Sequence, residues 1–321
     1  MPPNPNHDDI GVAHRASLGL FAWVLQAIRI VGVDSHPPLR YNRGVLPDAL
    51  SVVIAARGAE DEIVQTLDSL FPAPAGVALS VVLVTNGTPD KTADRAEKFR
   101  SRIEESGGEL LHEHLSAQGK APALRYGTRI APSGPVMFLD TRVDLHPNSL
   151  DALLAAIGTG RYDVVSTQQL YQPKESRWVS AFARAYGASP YGRSTDLKGT
   201  CILIASGHRE IVEKLPDTGA DDRFFVASTS RDRRTIVDGA FVDYHFPQTL
   251  SALVTQQTRW VRGNLGFDDV YGDYDRGVHE QDRRPYFGPN PPDLEARLTY
   301  LGVMAFAHLK ARLGKPDTAS W

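Results

Sequence analysis

Two aspartates stand side by side, Asp221 and Asp222, within Thr-Gly-Ala-Asp-Asp-Arg-Phe-Phe. Adjacent carboxylates suit acid–base work, because a like charge nearby raises the pKa of one of them toward the working range. The same residue type also caps helices and stabilises their first turns. Further along, Gln256, Arg259 and Trp260 fall at i, i+3 and i+4, so on a helix all three project from one face. Arginine brings a rigid fork that matches phosphate oxygens, and tryptophan brings a flat apolar wall. A surface ion pair and plain core packing are their bland uses.

Other polar groups follow hydrophobic runs. Ala55, Arg57 and Glu60 come at the end of the run from Leu50, Asn86-Gly87-Thr88-Pro89-Asp90 follows the run from Leu79, and Gly119-Lys120 precedes an apolar helical pattern. Asp140-Thr141-Arg142-Val143-Asp144 follows Val136-Met-Phe-Leu. His112 and His114 alternate across a strand end, where they can seat a metal or simply face solvent. The P-loop pattern fails at His114 and Ala121, the dinucleotide glycine fingerprint finds one glycine after the first strand, and neither HExxH nor GxSxG occurs.

The elements that must position these residues are read from periodicity. Leu50–Ala56, Leu79–Val84 and Val136–Asp140 are continuous apolar runs, as in strands buried on both faces. Helical spacing covers 60–70, 92–105 and 121–130, with a short strand at 109–112 between the last two. Such alternation predicts an α/β fold with a mainly parallel central sheet and ligands at the carboxyl ends of its strands. Beyond Ser149 helices are expected at 150–157, 178–186 and 249–264, strands at 163–167 and 200–205, and loop from about 268 to 292. A helix at Ala16–Val31 and a Pro-rich linker precede the main body. The expected organisation is an N-terminal extension (1–49), two halves of one domain (50–145 and 146–265), and a C-terminal loop and helix (266–321).

Composition narrows the classes. The chain has 321 residues, with 35 Lys plus Arg against 38 Asp plus Glu, a balance of −3 that advertises no nucleic acid. With 42% hydrophobic and 23% charged residues it has the makings of a globular protein. The lone cysteine, Cys201, rules out an internal disulfide and fits a reducing, cytoplasmic setting. No run reaches the roughly 18 apolar residues of a membrane-spanning helix. Leu18–Val33 and Leu298–Leu309 come nearest and read as buried or amphipathic helices.

Taken in order, these groups resemble the family 2 glycosyltransferases of GT-A fold, over Leu50 to Asn264. Asp221-Asp222 is similar to the family's acidic pair, whose second member is the general base, which makes Asp222 the expected base. Gln256, Arg259 and Trp260 resemble its QxxRW signature. The resemblance implies a nucleotide-diphosphate sugar as donor and a hydroxyl on a small molecule, glycan or lipid as acceptor, with inversion and one sugar per transfer. It further implies that Glu60, Asn86, Lys120, Asp140, Arg142, Gln256 and Arg259 handle the nucleotide and diphosphate, and that Trp260 lies against the sugar or acceptor. The family's D-x-D motif, which holds Mg2+ or Mn2+, stands here as Asp140-Thr141-Arg142. A guanidinium at that position repels a hard cation. Three readings are open: Arg142 neutralises the diphosphate itself; Asp144 or His245 completes a shifted metal site with Asp140; or the protein is a sugar-nucleotide or glycan binder without catalysis. Polymer-extruding relatives carry transmembrane helices, so processive synthesis is not expected, and membrane contact would be peripheral.

Overall fold

The computed structural model describes residues 46–87, 90–116, 119–271 and 286–313. The helix expected at Ala16–Val31 lies outside these residues. The described elements, in chain order, are strand β1 (Ala49–Ala56), helix α1 (Ile63–Asp68), β2 (Ala78–Asn86), α2 (Thr92–Glu97), α3 (Arg100–Glu105) and β3 (Leu110–Leu115). Then come α4 (Lys120–Ile130), β4 (Val136–Leu139), β5 (Val143–Leu145), α5 (Ser149–Gly158), β6 (Val164–Tyr171), α6 (Arg177–Gly187) and α7 (Pro190–Arg193). The series ends with β7 (Cys201–Ile204), α8 (Asp221–Ser228), β8 (Arg234–Tyr244), α9 (Leu250–Tyr271) and α10 (Leu294–Leu313).

All eight strands join one sheet in the order β3-β2-β1-β4-β7-β6-β8-β5. The first four in that order are parallel, β7 runs antiparallel between β4 and β6, β8 is parallel to β6, and β5 closes the edge antiparallel to β8. β1 and β2 consist almost wholly of buried Val, Leu, Ile and Ala, as strands covered by helices on both faces must be. β3 is the opposite case: His112, Glu113 and His114 are exposed, and charged residues blunt such an edge against further pairing.

One glycine is fixed by this packing. A Cβ on Gly127 of α4 would come within 2.5 Å of Val53 Cγ1 and 3.1 Å of Val84 Cγ2, so only glycine lets α4 lie this close to β1 and β2.

Three expectations need correction. The single helix over 92–105 is two, because the turn at Lys98-Phe99 tightens, the Phe99 amide donating to the Ala96 oxygen. The helix expected over 249–264 runs on to Tyr271, past the point where loop was expected. β5 and β8 were not foreseen. β8 contains Asp238-Gly239, a turn signal in sequence; here Gly239 has φ +80° inside a bulge, and the register against β6 jumps from Ser166↔Ile236 to Gln168↔Phe241.

Candidate active site

The carboxyl ends of β1, β2 and β4 open on one side of the sheet. Asp140 follows β4 directly and is fixed by its amide, which donates to the Thr200 oxygen at 2.9 Å. Gly119 has φ +134°, a conformation only glycine takes readily, and begins α4. It is held from β2, where Asn86 Nδ2 donates to the Gly119 oxygen at 3.0 Å. That start aims Lys120 at the acidic residues. Its Nζ lies 2.7 Å from Asp140 Oδ1 and 2.8 Å from Asp221 Oδ2. Burial penalises this ammonium, but the two carboxylates outweigh the penalty and hold its pKa above the ordinary lysine value.

Asp221 and Asp222 are the first two residues of α8 and form its acidic first turn. Neither caps the helix, since the cap position is Ala220, so the structural role they fill is that of first-turn acids, and Asp221 also pairs with Lys120. Burial and then the neighbouring Asp221 raise the pKa of Asp222, against the lowering effect of the Arg223 amide and the Tyr191 hydroxyl. Oδ1 of Asp222 accepts from that amide at 2.9 Å, and Oδ2 accepts from the hydroxyl at 3.0 Å. Burial similarly raises Asp140.

Helix α9 supplies Gln256, Arg259 and Trp260. Gln256 is buried and its Nε2 donates to the Tyr244 hydroxyl at 2.8 Å. Trp260 is half-buried and packs against the aromatic core at Tyr186 and Tyr244, with ring centroids 6.1 and 6.2 Å away. Arg259 is half-buried, and among the described residues its guanidinium makes no hydrogen bond or ion pair. Burial lowers its pKa, with Arg142 and Arg57 adding repulsion and Tyr244 and Asp140 opposing. A guanidinium so placed is a fork awaiting an anion.

Arg142 has a partner: its Nε lies 3.3 Å from Glu62 Oε1, and both side chains are more than a quarter exposed. Beyond the ends of β1 and β2 a cavity of about 210 Å3 is lined by Arg57, Thr85, Asn86, Asp90, His112 and His114, among others. That is below the roughly 300–1,000 Å3 of a whole ligand pocket, so it suits one part of a larger molecule. In its wall Thr85 Oγ1 sits 3.0 Å from His112 Nε2 and 3.1 Å from His114 Nδ1, and the Asn86 Oδ1 acceptor is buried without a partner. Glu60 lies nearby but its Oε2 accepts the Lys91 amide at 3.2 Å.

The donor set for a divalent cation does not fit. Asp140 is engaged by the Lys120 ammonium, and the next acidic position of the motif is the Arg142 guanidinium. Asp144 does not turn toward Asp140's partner; its Oδ2 accepts from His245 Nε2 at 2.5 Å and from the Gln65 amide. Behind that histidine stands another cation, Lys174 Nζ, 3.4 Å from Nδ1. Among the described residues no three His, Cys, Asp or Glu side chains gather as metal ligands.

Two residues of the site, Tyr191 and Lys198, carried no signal in sequence. Lys198 is 2% exposed, and burial pushes its pKa down to about 8 despite Asp222 and Asp196 nearby.

The mainly parallel eight-stranded sheet flanked by helices defines the fold as GT-A-like. Residues 51–214, just over half of the chain, match the family described as glycosyl transferase family 2, and the chain belongs to that family. Among solved structures it is similar to the mannosyltransferase PcManGT from Pyrobaculum calidifontis in complex with GDP-Man and Mn2+, at 16% identity and TM-score 0.54, over 96% of this chain and 87% of that one. It is also similar to S. aureus TarS 1–349, at 15% identity and TM-score 0.46, over 83% and 92%. A third is the glucosyl-3-phosphoglycerate synthase of Mycobacterium tuberculosis with Mn2+, UDP-Glc and phosphoglyceric acid, at 20% identity and TM-score 0.45, over 67% and 80%. No curated protein matches the chain.

Proposed function

We propose that this protein transfers one sugar from a nucleotide-diphosphate donor to an acceptor hydroxyl, with inversion. The observation that carries the reading is the cluster at the strand ends, in which Lys120 bridges Asp140 and Asp221 with Asp222 held beside them, together with the half-buried Arg259, which has no hydrogen-bond or ion-pair partner among the described residues. Transfer needs a base for the acceptor proton and compensation for the departing diphosphate. Asp222 takes the proton as the acceptor oxygen attacks the anomeric carbon and the bond to the diphosphate breaks. Arg259 and Arg142 take up the charge on the leaving oxygens. Lys120, bridged between Asp140 and Asp221, orders the acidic residues more than it offers charge of its own. The nucleoside end lies against Asn86 and the cavity near Thr85, and Trp260 forms part of the sugar or acceptor wall.

The Arg142 guanidinium where a metal-binding motif would stand, with the Arg259 guanidinium close enough to feel its charge, favours neutralisation without a divalent cation. Thermal-shift screening against nucleotide sugars, UDP-glucose and GDP-mannose first, tests this, since a ligand selective for the folded state raises Tm. A shift that survives EDTA is expected, and Arg142→Asp should make binding require Mn2+. A shift abolished by EDTA in the wild-type protein contradicts the reading.

We further propose that the protein works at the cytoplasmic face of a membrane, bound peripherally. Among the described residues no helix is long and apolar enough to cross a bilayer. Yet Leu294, Leu298, Leu301, Phe306, Leu309 and Leu313 of α10 are each more than half exposed, and Lys310 and Arg312 near the helix's C-terminal end are exposed cations, whereas Asp293 at its start is an exposed acid. Apolar surface edged by cations matches an anionic bilayer.

A further inference from the structure

The base assignment leaves a buried lysine to be explained. Lys198 precedes β7, and no carboxylate lies within ion-pair distance of it among the described residues. Its ammonium donates to the backbone oxygen of Tyr191 and stands 4.3 Å from the centroid of that residue's ring. The Tyr191 hydroxyl donates to Asp222 Oδ2 at 3.0 Å. The segment carrying Lys198 presses on the base: a Cβ on Gly199 would lie 3.3 Å from Asp222 Cβ. Burying an ammonium without a carboxylate partner is costly, and an apolar side chain would fill the same space more cheaply. Its position therefore answers a need other than packing.

We propose that Lys198 and Tyr191 are positioning residues for Asp222: Lys198 pins Tyr191 by its carbonyl and ring face, and the Tyr191 hydroxyl holds one carboxylate oxygen while the Arg223 amide holds the other. The acceptor then meets a base with a single orientation. This inference rests on the proposed role of Asp222. The charged and titratable groups facing that carboxylate are Asp221 from its own helix, Lys120 from α4, Tyr186 from α6, Tyr191 from α7 and Lys198 from the approach to β7. Asp221 and burial favour its neutral form, whereas Tyr191 and the cations favour the ionised one.

Carbon-13 NMR titration of the full chain labelled at aspartate Cγ reads the carboxylate directly, with the Asp222 resonance assigned by its loss in Asp222→Asn. In Tyr191→Phe the Asp222 midpoint should rise by about one pH unit, because a hydrogen bond favouring the ion is gone. Lys198→Met should move it the same way. Nucleoside diphosphate release from UDP-glucose or GDP-mannose should fall about tenfold in kcat for Tyr191→Phe, with KM for the donor unchanged. An unmoved midpoint, or an effect on KM alone, overturns the inference. If Lys198→Met does not fold, Tyr191→Phe carries the test, since it keeps the ring and its packing. Should Asp222→Asn retain full transfer, the base assignment itself fails; should Asp222→Asn be inactive while the Tyr191→Phe midpoint stays put, only the positioning role fails.

Discussion

At the scale of single residues, charge placement decides what the site can bind. Lys120 is matched by two carboxylates, Arg142 is shared with Glu62, and Arg259 has no hydrogen-bond or ion-pair partner among the described residues. Removing the unpartnered group should therefore weaken diphosphate binding most. We expect Arg259→Ala to raise Kd for UDP or GDP by roughly tenfold or more, the worth of a charge-assisted contact, measured by isothermal titration calorimetry. Arg259→Lys should restore little, because a lysine lacks the planar fork. Asp222, Arg259 and the Asp140-Thr141-Arg142 departure were legible in sequence because each depends on spacing within a few residues. Tyr191 was not: it meets Asp222 across 31 positions, and no local pattern encodes such a contact. Trp260 was half legible, since its place on the face of α9 follows from helical spacing but its packing against Tyr186 and Tyr244 follows from the fold.

Among the elements that position the site, some have residues that state their structure twice, by apolar run and by turn chemistry. β1, β2, β4 and α4 are of this kind, and they bring Asn86, Lys120 and Asp140 together. β8 hid because its bulge carries Asp238-Gly239 in mid-strand, and β5 because three residues are too few to show a period. β7 was expected, but its antiparallel direction is a property of the sheet and not of its own four residues. The α4 contact gives a direct check on this layer. Gly127→Val would drive a side chain into Val53 and Val84, and overpacking of that kind costs about 2 kcal/mol. Urea unfolding should show the midpoint falling by the corresponding amount with the slope unchanged, and an unaltered midpoint would mean that α4 can lift away from the sheet.

For the whole molecule, a formal charge of −3 describes the surroundings poorly. Cations gather at two places: in the site, where Asp140, Asp221 and Glu62 pair with Lys120 and Arg142, and along the end of α10. The exposed face of α10 should bind vesicles of phosphatidylglycerol in flotation assays, less so neutral vesicles, and a Leu298→Glu, Leu309→Glu double variant should stay in the dense fraction while keeping its donor-induced thermal shift. Equal recovery of wild type and variant would place the face against something other than lipid. The central claim is that Asp222 is the base of a sugar transfer, and one comparison tests it most directly: release of nucleoside diphosphate by Asp222→Asn beside wild type, with donor binding followed in parallel. A general base contributes typically 100- to 10,000-fold, so the account predicts a loss of at least about a hundredfold with donor affinity retained. Turnover within a few fold of wild type would contradict it.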